Sequence, residues 1–204
     1  MAARSDLAVF VVDDDDAMRD SLEFLLSSAD CRVRAFETGE RLLAALDDGD
    51  CGCVVSDVRM PGIDGLELLR RIKAARPNLP VVMITGHGDV PLAVEAMKLG
   101  AADFVEKPFD DERLIGVVQA ALAGAPREAD PSDEIAARVA SLSPRERQVL
   151  EGLVAGLSNK AIARAHDISP RTVEVYRANL MAKMQAASLS ELVRLAMRAG
   201  VLKD

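Results

Sequence analysis

Asp13, Asp14, Asp57, Thr85 and Lys107 lie far apart in the chain, yet each stands where a short apolar run ends. The run from Ala8 to Val12 meets Asp13, Asp14, Asp15 and Asp16 without a spacer. Like charges this close repel one another and resist burial, so the cluster requires a compensating cation or a solvated role. Carboxylates brought together from separate strands would make a hard oxygen site suited to Mg2+, an ion that keeps several waters and takes few protein ligands. One carboxylate of such a set can attack phosphorus once a metal screens its charge and that of the incoming group. A hydroxyl and an ammonium, here Thr85 and Lys107, would then hold the transferred oxygens, which is mostly positioning and electrostatics. Taken singly these residues say less, because a double Asp after a strand is commonly a cap or a turn. The signal is their joint placement at strand ends.

The elements that must position them are visible as alternation. "AVFVV", "RVRAF", "CVVSD", "VVMIT" and "ADFVE" are strand candidates. Between them lie amphipathic segments such as "AMRDSLEFLLSS", where Met18, Leu22, Leu25 and Leu26 share a face, and "GLELLRRIKAA", where Leu66, Leu69 and Ile72 do. Strands alternating with helices imply βα units, so the fold expected is α/β, a doubly wound five-stranded parallel sheet. Ligands of such sheets bind at the carboxyl ends of the strands, where strand order reverses. "GAPREADPSDE" reads as a linker, and the chain divides into 1–123, a linker over 124–139, and a small all-α domain over 140–204. Helices are expected from Pro144 to about Ala155, Asn159 to about His166, Pro170 to about Gln185 and Leu189 to about Ala199.

Composition agrees with two domains. Half of the 204 residues are hydrophobic, enough for a real core, and no run is long enough to cross a membrane. The start "MAARSD" lacks a signal-peptide pattern, so a cytoplasmic protein without membrane contact is expected. Cys31, Cys51 and Cys53 read as ordinary thiols. Residues 1–123 hold 13 Lys and Arg against 23 Asp and Glu, a balance of -10, while residues 140–204 hold 10 against 6, a balance of +4. The basic half could meet nucleic acid.

"VVDDDDAMRDSL", "VVSDVRMPGIDGLELL", "VVMITGHGD" and "ADFVEKPF" resemble the receiver domain of two-component response regulators, which has a flavodoxin-like sheet. The resemblance implies that Asp57 is the phosphoacceptor. It makes Asp13, Asp14, Asp57 and the Arg59 backbone carbonyl the Mg2+ ligands. Thr85 and Lys107 are implied as phosphoryl-binding residues, with Phe104 as a switch whose ring turns when Thr85 is drawn to the phosphoryl group. A cis bond between Lys107 and Pro108 is also implied. Asp15 and Asp16 fall at variable positions and are assigned to a helix cap and its dipole. In related regulators the surface of the fourth helix dimerises, and Val90, Val94, Met97 and Leu99 are its partly exposed apolar candidates here.

In the basic half, two helices separated by "HDIS" have the spacing of a helix-turn-helix unit, whose second helix enters the major groove. Val173, Leu180 and Met184, with Tyr176 at their edge, form its buried stripe. Arg171, Thr172, Glu174, Val175, Ala178 and Asn179 lie off that stripe and can face a groove. Arg177, Lys183 and Lys160 are better placed for phosphates. "LSPRERQVLEGLVAGLSNKAIA" and "ISPRTVEVYRANLMAKM" are similar to the LuxR-type DNA-binding domain, with Tyr176 where many relatives have His. In those relatives the last helix, here with Leu192, Leu195 and Ala196, is the dimer helix.

The two halves together resemble the FixJ subgroup of response regulators. That implies a phosphorylation-activated transcriptional activator, not an enzyme, that takes its phosphoryl group from a sensor histidine kinase. It would then dimerise, bind promoter DNA and engage RNA polymerase. For the subgroup's namesake the kinase is the haem oxygen sensor FixL, and the targets are genes of nitrogen fixation and microaerobic respiration. Two alternatives stand beside this reading. A Mg2+-dependent aspartyl phosphatase would leave the basic half idle, and a constitutive DNA-binding protein with a degenerate receiver would not need the intact acidic set.

Overall fold

The computed structural model describes residues 7–46, 50–86, 90–124 and 132–201. The chain divides into two compact units, Met1–His87 with Lys98–Ala125, and Gly88–Met97 with Pro126–Asp204.

The first unit is built on β1 (Ala8–Val12), β2 (Arg32–Phe36), β3 (Cys51–Asp57), β4 (Val81–Thr85) and β5 (Asp103–Glu106). They form one sheet in the order β2-β1-β3-β4-β5, every pair parallel. All residues of β1 and β4 are buried, which is why these strands read as unbroken apolar runs. The edge strand β2 is exposed or half-buried throughout and carries Arg32 and Arg34 instead. One face of the sheet, with Val9, Val11, Cys53, Val55, Val82, Ile84 and Val105, packs on Leu22 and Leu26 of α1 (Asp16–Ser28) and on Leu114 and Val118 of α5 (Asp111–Ala123). The opposite face meets α2 (Gly39–Ala45) and α3 (Gly65–Ala75), which also pack on each other. All three cysteines are free thiols, and burial pushes the Cys51 thiol up to about 12.

Two local features shape the carboxyl end of this sheet. Gly65 opens α3 where a Cβ would collide with the Asp57 carbonyl oxygen and lie 2.8 Å from the Val58 Cα, so only glycine lets the helix start against the end of β3. The aspartate run is divided by the start of α1. Asp15 is the N-cap, its side chain accepting from the Met18 N–H at 2.9 Å, and Asp16 is the first helical residue, paired with Arg19 at 2.5 Å. Asp13 is buried, whereas Asp14, Asp15 and Asp16 are exposed.

The second unit holds all but the last residue of α4 (Val90–Lys98), with α6 (Ser132–Ala140), α7 (Pro144–Val154), α8 (Asn159–Ala165), α9 (Pro170–Met184) and α10 (Leu189–Arg198). The four helices expected after Pro144 are present, but α6 lies inside the segment expected as a linker. Ile135 and Val139 give it a buried stripe at i, i+4 spacing, which its charged neighbours conceal in the sequence. Residues 125–131 of the expected linker lie outside the described residues. α7 begins with a capping box in which the Ser143 hydroxyl and the Glu146 carboxylate serve each other's backbone N–H. Gly152 of α7 faces Ile162 of α8, where a Cβ would sit 2.7 Å from the Ile162 Cγ1.

One expectation about an exposed apolar face is corrected. Val94 and Met97 of α4 are buried, forming with Ala93 and Ala96 the inward stripe of that helix. Leu99 is half-buried, and the Val90 side chain lies outside the described residues. In α10, Leu192, Leu195 and Ala196 are buried as well, because that helix packs on α6, α7 and α9. Its amphipathic stripe is consumed inside the unit.

Candidate functional site

Strand register brings the polar residues together. Val12 pairs with Ser56, so Asp13 and Asp57 end neighbouring strands side by side; Asp57 pairs with Ile84, and Thr85 with Glu106. The Lys107 backbone N–H then donates to the Thr85 carbonyl at 2.8 Å, and the Lys107–Pro108 bond is cis. Because β1 and β3 lie where the strand order reverses, the cluster occupies the position where such sheets bind ligands.

Lys107 closes the cluster. Its Nζ donates to Asp57 Oδ1 at 2.5 Å and to Asp13 Oδ2 at 3.2 Å. The remaining oxygens are held by the backbone: Arg59 N–H donates to Asp57 Oδ2 at 2.6 Å, and Asp15 N–H donates to Asp13 Oδ1 at 3.0 Å. Burial raises the Asp13 carboxyl above its ordinary value, against the lowering effect of the Asp15 N–H and of Lys107. Burial alone would lower the Lys107 ammonium, but its bonds to Asp57 and Asp13 outweigh that and raise it. Arg19 Nη1 donates to the Asp13 backbone carbonyl at 2.8 Å, a contact the sequence reading missed. Its place in the first turn of a helix that begins beside Asp13 was the available signal.

Of the expected site residues, Asp13, Asp57 and Lys107 meet directly. Thr85 is buried at the end of β4, and the Phe104 ring is buried in β5. Asp14 is exposed beside them, and among the described residues no group of three or more His, Cys, Asp and Glu converges as a ready-made metal cage. Two carboxylates sharing one cation still fit Mg2+, whose coordination is completed largely by water.

The helical unit presents a second site. On α9, Val173, Leu180 and Met184 are buried and Tyr176 and Arg177 half-buried, while Arg171, Glu174, Val175, Ala178 and Asn179 are exposed. Those five positions form one stripe at helical spacing. Ser169 caps the helix, and its hydroxyl lies 2.7 Å from that of Thr172. Lys160 on α8 is exposed. Lys183 is exposed, and its Nζ donates to Glu146 Oε2 at 2.6 Å, so the same ammonium also holds the start of α7.

Residues 9–119 match the response regulator receiver domain, and residues 140–196 match the bacterial regulatory proteins of the luxR family. The chain therefore belongs to the response regulators, in the class that joins a receiver to a luxR-family domain, and is a phosphorylation-dependent transcriptional regulator whose partners are a sensor kinase and promoter DNA. It is 64% identical to the transcriptional regulatory protein FixJ of Bradyrhizobium diazoefficiens, over 96% of this chain and 97% of that protein. The crystal structure of full-length FixJ from B. japonicum, also 64% identical, is similar with a TM-score of 0.55, covering 96% of this chain and 98% of that one. The C4-dicarboxylate transport transcriptional regulatory protein DctR of Rhodobacter capsulatus is 45% identical over 92% of this chain and 98% of its own length. Among the described residues no helix is long and apolar enough to cross a membrane.

Proposed function

We propose that Asp57 accepts the phosphoryl group and that the exposed stripe of α9 carries the response to DNA. The observation that carries this reading is the Lys107 ammonium bridging Asp57 and Asp13 at the carboxyl end of the sheet. Asp57 Oδ1 attacks phosphorus and the donor departs with its bonding pair, leaving an acyl phosphate. Lys107 is then within reach of the new phosphoryl oxygens, and Thr85 is the hydroxyl at the adjacent strand end. Asp13, Asp14, Asp57 and the Arg59 carbonyl are the residues that would hold Mg2+. The ion's chemistry there is neutralisation of charge on the phosphoryl oxygens.

Drawing Thr85 toward the phosphoryl group alters the packing around Phe104, and a difference of a few kcal/mol between two arrangements is enough for phosphorylation to bias them. The regulator then dimerises, binds paired half-sites and recruits RNA polymerase. On DNA, Arg171, Thr172, Glu174, Val175, Ala178 and Asn179 face the major groove, while Lys160, Arg177 and Lys183 meet phosphates. The similarity to FixJ over nearly the whole chain supports the oxygen-sensor kinase FixL as donor and genes of nitrogen fixation and microaerobic respiration as targets. Incubation with acetyl phosphate and Mg2+ tests the first step: the chain should gain one acid-labile phosphoryl group, mapped to Asp57. Labelling that persists in Asp57→Asn contradicts it.

A further inference from the structure

On an α9 face offered to a polyanion, Glu174 is out of place. It is the fifth residue of the helix, within the amino-terminal half that reaches base edges when such a helix lies in the major groove. It is exposed, and arginines stand three residues before it, Arg171, and three residues after it, Arg177. Both are at ion-pairing distance along a helix. Yet among the described residues the Glu174 carboxylate makes no ion pair and no side-chain hydrogen bond, and neither arginine is paired with it. Its neighbours on the stripe, Val175 and Ala178, are uncharged, and Ala178 is short enough to let a base edge approach. A carboxylate there adds nothing to packing and repels phosphate, so its contribution must come from what it accepts.

We propose that Glu174 is the specificity-determining residue of the DNA-binding face. It accepts a hydrogen bond from the exocyclic amino group of a cytosine and rejects bases that present an acceptor at that place. This rests on the reading that α9 binds DNA. In the major groove cytosine N4 is a donor with no acceptor beside it on the same base, whereas the adenine N6 donor stands next to the N7 acceptor, and an ionised carboxylate can only accept. Guanine O6 and thymine O4 would face the carboxylate oxygen to oxygen, leaving both desolvated and unpaired. The residue thereby lowers affinity for most sequences and spares those with cytosine at one position, which is discrimination by penalty.

The test is selection from randomised duplex DNA by the full chain, phosphorylated with acetyl phosphate and Mg2+, for the parent and for Glu174→Ala. The parent should recover a motif with one position held to cytosine. The variant should recover the same motif with that position relaxed, and should bind non-cognate duplex several-fold more tightly. A parallel measurement needs no variant: replacing that cytosine by 2-pyrimidinone, which lacks the amino group, should weaken the parent about tenfold and leave Glu174→Ala unchanged. An unchanged motif in Glu174→Ala, with equal sensitivity to the analogue, overturns the assignment while leaving DNA binding by α9 intact. A phosphorylated parent that selects no motif removes the underlying reading instead.

Discussion

Lys107 Nζ and Asp57 Oδ1 lie 2.5 Å apart although fifty positions separate them in the chain. The same ammonium reaches Asp13, so one cation holds two buried carboxylates from neighbouring strands at the end of the sheet. Such a cluster is poised: two carboxylates against one ammonium leave it net negative, and a phosphoryl group placed on Asp57 must redistribute the contacts of Lys107.

Removing the cation should expose that excess of negative charge. Lys107→Met leaves Asp13 and Asp57 buried without their common partner, and should lower the stability of the receiver by about 1–3 kcal/mol. That is below the cost for a fully buried pair, because the lysine side chain is 27% exposed. Thermal unfolding of the full chain measures it, with Lys98→Met at an exposed position as the control that should not shift.

The division of the aspartate run predicts unequal consequences along it. Asp15→Ala removes the cap that accepts from Met18 and should cost about 1 kcal/mol of stability, with little change in phosphoryl uptake from acetyl phosphate. Asp13→Ala should act the other way round, reducing uptake strongly. Equal effects of the two substitutions on uptake would refute the division.

Glu146 should give the helical unit a recognisable acid dependence. Lys183, then the Ser143 N–H and hydroxyl, hold its carboxyl well below the usual range, at about 2. A carboxyl depressed on folding stabilises above its unfolded value and loses that contribution as pH falls through the folded one. The stability difference between parent and Glu146→Gln should therefore be full at neutral pH and vanish between about pH 4.5 and 2. Denaturant titrations across that window check it. Because Lys183 serves this pair as well as the exposed face, Lys183→Met should lower stability together with DNA affinity, whereas Lys160→Met should reduce the salt slope by about one and leave stability unchanged.

These residues also show what was legible in the sequence. β1, β3 and β4 are buried on both faces, so their apolar runs betray them, and the polar residues ending them mark the site. Register then follows from parallel pairing, and Asp13, Asp57 and Lys107 fall together. Asp15 and Asp16 were legible as cap and first turn because capping is local chemistry. Other features depended on distant partners. The Ser143 and Glu146 capping box is visible as a spacing, but nothing local says that Lys183, 37 positions on, completes it. Val94, Met97, Leu192 and Leu195 are apolar at positions that suit either an interface or a core, and only packing decides. α6 was missed because two buried residues, Ile135 and Val139, are too few to stand out beside a proline and a run of charges.

Chemistry at Asp57 should govern DNA binding by α9. Affinity of the full chain for a selected promoter duplex, measured with and without acetyl phosphate and Mg2+ for the parent and for Asp57→Asn, tests it most directly. A rise of tenfold or more in the parent, absent in Asp57→Asn, is the result predicted. Equal affinity in all four conditions would contradict it and describe a constitutive DNA-binding protein instead.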